Sequence, residues 1–351
     1  MTPEFELLRL CAQPPGASPV RAHLDRSIDW ERFHAAAEYH AVVPLAHRAL
    51  RDDSHHAVPE TAVARLWQGV LVNTKRNCFL VRRLGELVAA LAGEGIRALP
   101  YKGPLLALNA YGNVARRQFT DLDILVSPAD VTRCRDLLTS RGYMPVSAEE
   151  PLNSGHLHAH RELQLLDEPA NVRVEFHWRV APHWQLPRGF AVEFEPLWQR
   201  AETVTVSGTE MRNLAPDDLL LILCVHATSH QWFRLQMVAD VAWLLHARRD
   251  LDVERLRHTA TQLGAARMLA LGLVLARDVL GASLPTPLED CVERSTPLQQ
   301  LEGRVVDWLE TPVPISLVDE MQFHLGARER WRDKLAYAPL FLRALGRAAW
   351  G

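Results

Sequence analysis

The sequence predicts an α+β protein, a small mixed β-sheet core flanked by helical N-terminal and C-terminal regions. Two observations point there. Apolar residues recur near every 3.6 positions up to about residue 95 and again from Ala215 onward, the period of a helix with one buried face. Between these stretches the period falls toward 2, as in a strand with one buried face. The expected division is therefore a helical region over 1–95, a sheet-bearing core over 96–208 and a helical domain over 209–351.

The elements follow in order. PEFELLRLCA reads as a short amphipathic helix, and DWERFHAAAEYHAVVPLAHRAL is helical behind Asp29, a residue type whose side chain caps exposed N–H groups. PETAVARLWQGVLVNTKRNCFLVRRLGELVAALAGEG reads as one long helix. Its stripe is Leu66, Val70, Val72, Leu80, Leu84, Leu87 and Leu91, with Pro59 at the start and Gly93 and Gly95 at the end. IRALPYKG and QFTDLDILVS are strand-like around a helical PLLALNAYG, and PADVTRCRDLLTSRGY is a capped helix ending at Gly142. HLHAHRELQLLD and VRVEFHWRV, joined by the turn-forming EPAN, read as an antiparallel hairpin, and ETVTVSGTEMRNL as one smaller strand. APDDLLLILCVHATSHQWFRLQMVADVAWLLHARR is two helices or one broken helix. DVERLRHTATQLGAARMLALGLVLARDVLG is a helical pair divided near Gly264. The last stretch, with Arg328, Arg330, Arg332, Lys334 and Arg343, is a basic helical face.

Composition narrows the partners. Of 351 residues 48 % are hydrophobic and 23 % charged, with a net charge of −3, which argues against a nucleic-acid partner. Five scattered cysteines without a CxxC pair read as reduced thiols. The N-terminus has no apolar signal-peptide core and no apolar run reaches a membrane-spanning length, so the cytoplasm is the expected setting, without a membrane partner. The Arg- and Ala-rich, Lys-poor composition suggests a bacterium with a GC-rich genome.

Chemistry concentrates in QFTDLDILVS. Asp121 and Asp123 stand two apart in a strand, so their carboxylates point the same way from apolar surroundings. Buried like charges that close need a cation between them. A divalent ion such as Mg²⁺ takes oxygen ligands from one or two carboxylates and completes its shell with substrate phosphates. Glu175 interrupts the apolar alternation of VRVEFHWRV and is the candidate third acid, which would allow two metal ions.

A strand ending in a Gly-containing turn, then a helix, then a strand carrying D-x-D resembles the DNA polymerase beta-like nucleotidyltransferase superfamily. More narrowly, YKGPLLALNAYG…R…DLDILV…GY…VEFHW resembles a family of uncharacterised bacterial nucleotidyltransferases, with Lys-Gly in place of the superfamily's Gly-Ser turn. The matched motifs cover roughly residues 96–180, and CVHATSHQWFRLQMVADVAWLL, with His226 and Asp240, is similar as well. The resemblance implies an enzyme moving a nucleoside monophosphate from a nucleoside triphosphate, with ATP expected, to a small-molecule or protein acceptor, releasing pyrophosphate. It implies that Asp121, Asp123 and Glu175 bind Mg²⁺ or Mn²⁺ and carry catalysis, with Glu175 as base or as a group polarising the acceptor through the metal. Lys102 and Gly103 then stand at the triphosphate, Lys102 either facing the phosphates or pairing with Asp121. One of Arg116 and Arg117 would reach a phosphate or brace the carboxylates. His177, on the face of Glu175, would touch a phosphate or the acceptor, or serve as a hydrogen-bonded structural group.

Other residues keep further readings open. His156, His158 and His160 alternate as a strand face would, either lining the acceptor pocket or offering metal ligands. His226 and His230, four apart on a helix, with Asp240 beyond, fit a structural, acceptor-positioning or zinc-binding role. The alternatives to a transferase are a non-catalytic binding or regulatory protein of a biosynthetic cluster, and a His-rich metalloprotein or hydrolase.

Overall fold

The computed structural model describes residues 1–16, 20–24, 27–53, 58–146, 162–179, 193–292 and 295–337. His156, His158 and His160 lie outside the described residues, so the strand face expected there is not part of the account below.

Helix α1 (Pro3–Cys11) starts behind Thr2, whose hydroxyl accepts from the Phe5 N–H. Helix α2 (Trp30–Tyr39) starts behind Asp29, which accepts from Glu31 and Arg32 as the capping pattern predicts. Ala41, at φ 56°, turns the chain out of α2 and into α3 (Val43–Asp53). Helix α4 runs unbroken over Glu60–Gly93, a single 34-residue element as expected. One stripe residue departs: Val72 is 72 % exposed, because two positions past Val70 is about 200° around the helix, off the buried side.

The sheet follows. Strand β1 (Ala98–Pro100), helix α5 (Gly103–Asn109), strand β2 (Asp121–Val126), helix α6 (Val131–Thr139) and strands β3 (Met144–Pro145), β4 (Glu162–Asp167) and β5 (Val172–His177) form the mixed unit. Its strand order is β1-β2-β5-β4-β3; β2 and β5 are parallel and the other pairs antiparallel. The β4–β5 pair is the expected hairpin, turned at Asn171 with φ 51°.

After α7 (Phe194–Arg200), the ETVTVSGTEMRNL segment departs from the single strand expected. It is a separate hairpin, β6 (Glu202–Val206) with β7 (Thr209–Asn213). Ser207 at φ 50° and Gly208 at φ 81° supply the two left-handed residues of a tight hairpin turn, a signal present in the Ser-Gly pair. Helix α8 (Pro216–Ser229) and α9 (Leu235–Ala247) are two helices, parted at Gln231 and Trp232, both with positive φ. Helices α10 (Val253–Leu263) and α11 (Ala266–Leu280) part at Gly264, as expected. Then come α12 (Thr286–Glu289), α13 (Thr296–Glu310) and α14 (Leu317–Ala327). No described helix is long and apolar enough to cross a membrane.

Two apolar clusters hold these layers. Beneath the sheet, Leu122, Ile124, Val174 and Phe176 pack on Leu80 to Leu91 of α4 and on Val131, Cys134 and Leu138 of α6. The larger cluster joins α1–α3 to α8–α11 and reaches Leu99, Tyr101, Leu106 and Tyr111. Helix α4 serves both, giving Leu66 to the larger cluster and its second half to the sheet. On the other sheet face Leu99 and Leu125 pack into the larger cluster, and the rest of that face is polar.

Candidate active site

That polar face collects the acids. In the parallel β2–β5 ladder Asp121 pairs with Arg173, Asp123 with Glu175 and Leu125 with His177. Paired residues share a face, so Asp121, Asp123, Glu175 and His177 all project from one side. The β4 register adds Glu162 opposite His177 and Gln164 opposite Glu175. These two were not singled out in sequence, although Glu162 and Gln164 alternate with buried Leu163 and Leu165, a readable period of 2. The face borders a cavity of about 450 Å³, whose far wall includes His226, His230, Phe233 and Met237 at the α8–α9 junction.

Lys102 and Gly103 lie where β1 turns into α5. Gly103 has φ +48°, and a Cβ there would stand 3.2 Å from the Asp121 carbonyl oxygen, so the turn runs close against β2 and favours glycine twice over. Lys102 is 8 % exposed and its Nζ donates to Asp123 Oδ1 at 3.1 Å. Its partner is thus Asp123 and not Asp121. The reason lies in β1, which runs antiparallel to β2 with Tyr101 N–H bonded to the Asp123 carbonyl, so the chain leaves the strand beside Asp123. The ammonium also lies 3.5 Å from His226 Nδ1 and 4.9 Å from the centre of the Tyr101 ring.

His177 sits among carboxylates. Its Nε2 is 3.0 Å from Asp123 Oδ1 and 3.4 Å from Glu175 Oε2. Its Nδ1 is 3.5 Å from Glu162 Oε2, without hydrogen-bond geometry. Burial opposes charge on the ring, but the bonds to Asp123 and Glu175 outweigh it and raise its pKa. Burial likewise opposes ionisation of Asp123, and Lys102 and His177 outweigh that too, holding its carboxyl well below the usual range. Asp121 goes the other way. Burial first, then the charges of Asp123 and Glu175, push it up to about 6 against the pull of Lys102 and Arg117.

The face therefore carries more negative charge than Lys102 and His177 balance. Ligand atoms of Asp123, Glu175 and His177 lie within 4.8 Å of one another, and no side chain among the described residues hydrogen-bonds to Asp121. A carboxylate-rich donor set with one underneutralised acid fits a hard divalent cation.

The two arginines before β2 are bound elsewhere. Arg117, 8 % exposed on the cavity wall, grips Asp240 of α9 through Nε at 2.7 Å and Nη2 at 2.9 Å. Tyr111 donates to the same Asp240 Oδ1 at 2.7 Å, while Asn73 and Asn77 of α4 donate to the Arg117 carbonyl. Burial opposes the charge on Arg117, and the Asp240 carboxylate raises its pKa regardless. Burial and Asp240 together push the Tyr111 phenol up. Arg116 is away from the cavity lining and donates to the Tyr111 carbonyl at 2.9 Å. Neither Tyr111 nor the pairing of Arg117 with Asp240 was legible in advance. The rings of His226 and His230 lie 4.6 Å apart between centres, tilted by 59°, and line the cavity, while the only cluster with metal-ligand spacing among the described residues is the one on the sheet.

A family described as uncharacterised nucleotidyltransferases matches residues 26–281 of the chain. No curated protein matches it. Among solved structures, an antigenic nucleotidyltransferase-like protein from Paracoccidioides brasiliensis is similar over 60 % of this chain and 95 % of its own, at 14 % identity and a TM-score of 0.33.

Proposed function

The chain belongs to the family of uncharacterised nucleotidyltransferases, and on that premise we propose that it moves a nucleoside monophosphate from a nucleoside triphosphate, ATP in the first instance, to an oxygen or nitrogen of a small-molecule or protein acceptor. The observation that supports this reading most is the β2–β5 register, which gathers Asp121, Asp123 and Glu175 on one face over a cavity. Glu175 takes the acceptor proton as the acceptor oxygen forms its bond to the α-phosphorus. The bond from that phosphorus to the bridging oxygen breaks, and pyrophosphate leaves. Lys102 and the close turn at Gly103 hold the triphosphate, and the α8–α9 wall with His226 and His230 lines the acceptor side. Mg²⁺ or Mn²⁺, held by Asp121, Asp123 and Glu175, would offset the charge spread over the phosphates.

The buried Lys102–Asp123 ion pair favours a second reading, a nucleotidyltransferase fold kept for binding or regulation. The two are separated by incubating the protein with each α-phosphate-labelled triphosphate, Mg²⁺ or Mn²⁺, and cell extract. Covalent label on an acceptor, absent with Asp121→Asn and Asp123→Asn, is the expected result. A wild-type protein that binds nucleotide with metal but transfers nothing supports the second reading, and one that binds no nucleotide removes the first.

A further inference from the structure

We propose that Lys102 weakens this site's hold on a bare divalent cation, so that the cation binds tightly only when a triphosphate arrives with it. The inference deepens the transferase reading and rests on it. Asp123 is 7 % exposed, and its Oδ1 already receives two donors, Lys102 Nζ at 3.1 Å and His177 Nε2 at 3.0 Å. A cation arriving alone on Asp123 meets an ammonium at hydrogen-bond distance from the same oxygen. It either stays beside that like charge or drives Lys102 off its carboxylate.

Driving it off is costly where Lys102 stands. The side chain is buried, and apart from Asp123 its nearest contacts are His226 Nδ1 at 3.5 Å and the Tyr101 ring at 4.9 Å, neither of them anionic, while Asp121 acts on it only through space, without a hydrogen bond. A buried ammonium taken off its directly bonded carboxylate, with the incoming cation competing for the Asp121 charge, opposes the exchange. A triphosphate reverses the balance, because its oxygens give the displaced ammonium charge-assisted hydrogen bonds. Cation and triphosphate therefore help each other bind, by the same factor in both directions. Asp121, which has no such partner, supplies the standing attraction for the cation.

Electron paramagnetic resonance of Mn²⁺ titrations tests this without turnover. The wild-type protein should bind Mn²⁺ on the order of 30-fold more tightly with a non-hydrolysable triphosphate analogue than alone, within the usual range of coupling. Lys102→Met should bind free Mn²⁺ about tenfold more tightly than wild type, with most of the coupling lost, a change of about 1.4 kcal/mol. Lys102→Gln, which keeps a polar end, is the second variant, and thermal melting checks that each is folded. If Lys102 only grips phosphate, both variants bind the complex more weakly with free-ion affinity unchanged, and that result overturns the proposal while leaving the transferase reading standing. Equal wild-type affinity for Mn²⁺ with and without the analogue also overturns it. Absence of any wild-type Mn²⁺ binding with the analogue present brings down both.

Discussion

Asp123 and Asp240 are both buried carboxylates, each bound to a basic side chain from elsewhere in the chain, yet they are finished differently. Asp240 receives the planar fork of Arg117 through two nitrogens and the Tyr111 hydroxyl, and the backbone behind Arg117 is pinned by Asn73 and Asn77. Such a bidentate pair is geometrically closed, and it ties α9 to the segment entering β2. Asp123 is met by the point charge of Lys102 and by His177 on one oxygen, with Asp121 and Glu175 beside it adding repulsion. The first cluster is closed on both sides, whereas the second holds its acid by single contacts on one oxygen, as the proposed exchange of partners requires. A cation that must give way to substrate is better a lysine than a bidentate arginine, because a single ammonium contact is lost without breaking a fork.

The contrast can be broken at its rigid end first. Asp240→Asn leaves Arg117 buried without its carboxylate and should lower stability by about 3–5 kcal/mol in urea unfolding. A change near zero would show that the Arg117 cluster is not a brace.

Acid should separate the two regions next. In the helical half, burial first and then neighbouring arginine charge lower His40 to about 4 and His324 to about 3. Both are neutral when folded and take up a proton near 6.5 when unfolded. Their stability is therefore intact above pH 6.5 and lost as pH falls, levelling off below the folded values. Between pH 7 and pH 5 the loss should be about 2 kcal/mol for each histidine. His40→Asn and His324→Gln should each remove their share of that slope. His177 on the sheet has the opposite sign, since its raised pKa favours the folded state at low pH and loses that contribution as pH rises above 6.5.

The smallest effect sharpens the contrast most. Asp121→Asn removes a carboxylate whose pKa burial and its acidic neighbours push up to about 6, so the folded protein should gain roughly 1–2 kcal/mol at pH 7 while label transfer is lost. A destabilised Asp121→Asn would mean that Asp121 is a satisfied structural acid like Asp240.

How far the sequence could be read follows from the range of each signal. The D-x-D pair and Glu175 were legible because period-2 alternation declares which side chains share a face, and the β2–β5 ladder aligns Asp123 with Glu175 in that way. The unbroken α4 and the Gly264 break were legible from local periodicity and backbone chemistry. Val72 departs from the expected stripe because an apolar residue two positions along a helix need not follow the buried side. The β6–β7 hairpin stands where a single strand is expected, although the Ser-Gly pair is a turn signal. Lys102's choice of Asp123 over Asp121 depends on the antiparallel register of β1, and the Arg117–Asp240–Tyr111 cluster joins residues far apart in the chain. Neither carries a local pattern, since the first is set by strand pairing and the second by how the sheet meets α9.

Equilibrium binding of a fluorescent ATP analogue, with Mg²⁺ and with a chelator, tests most directly whether the acid face of β2 and β5 is a nucleotide site. Wild-type protein should bind in Mg²⁺ and not in chelator, and folded Asp121→Asn protein should bind in neither. Nucleotide binding that survives the chelator, or that persists undiminished in Asp121→Asn, would contradict the account.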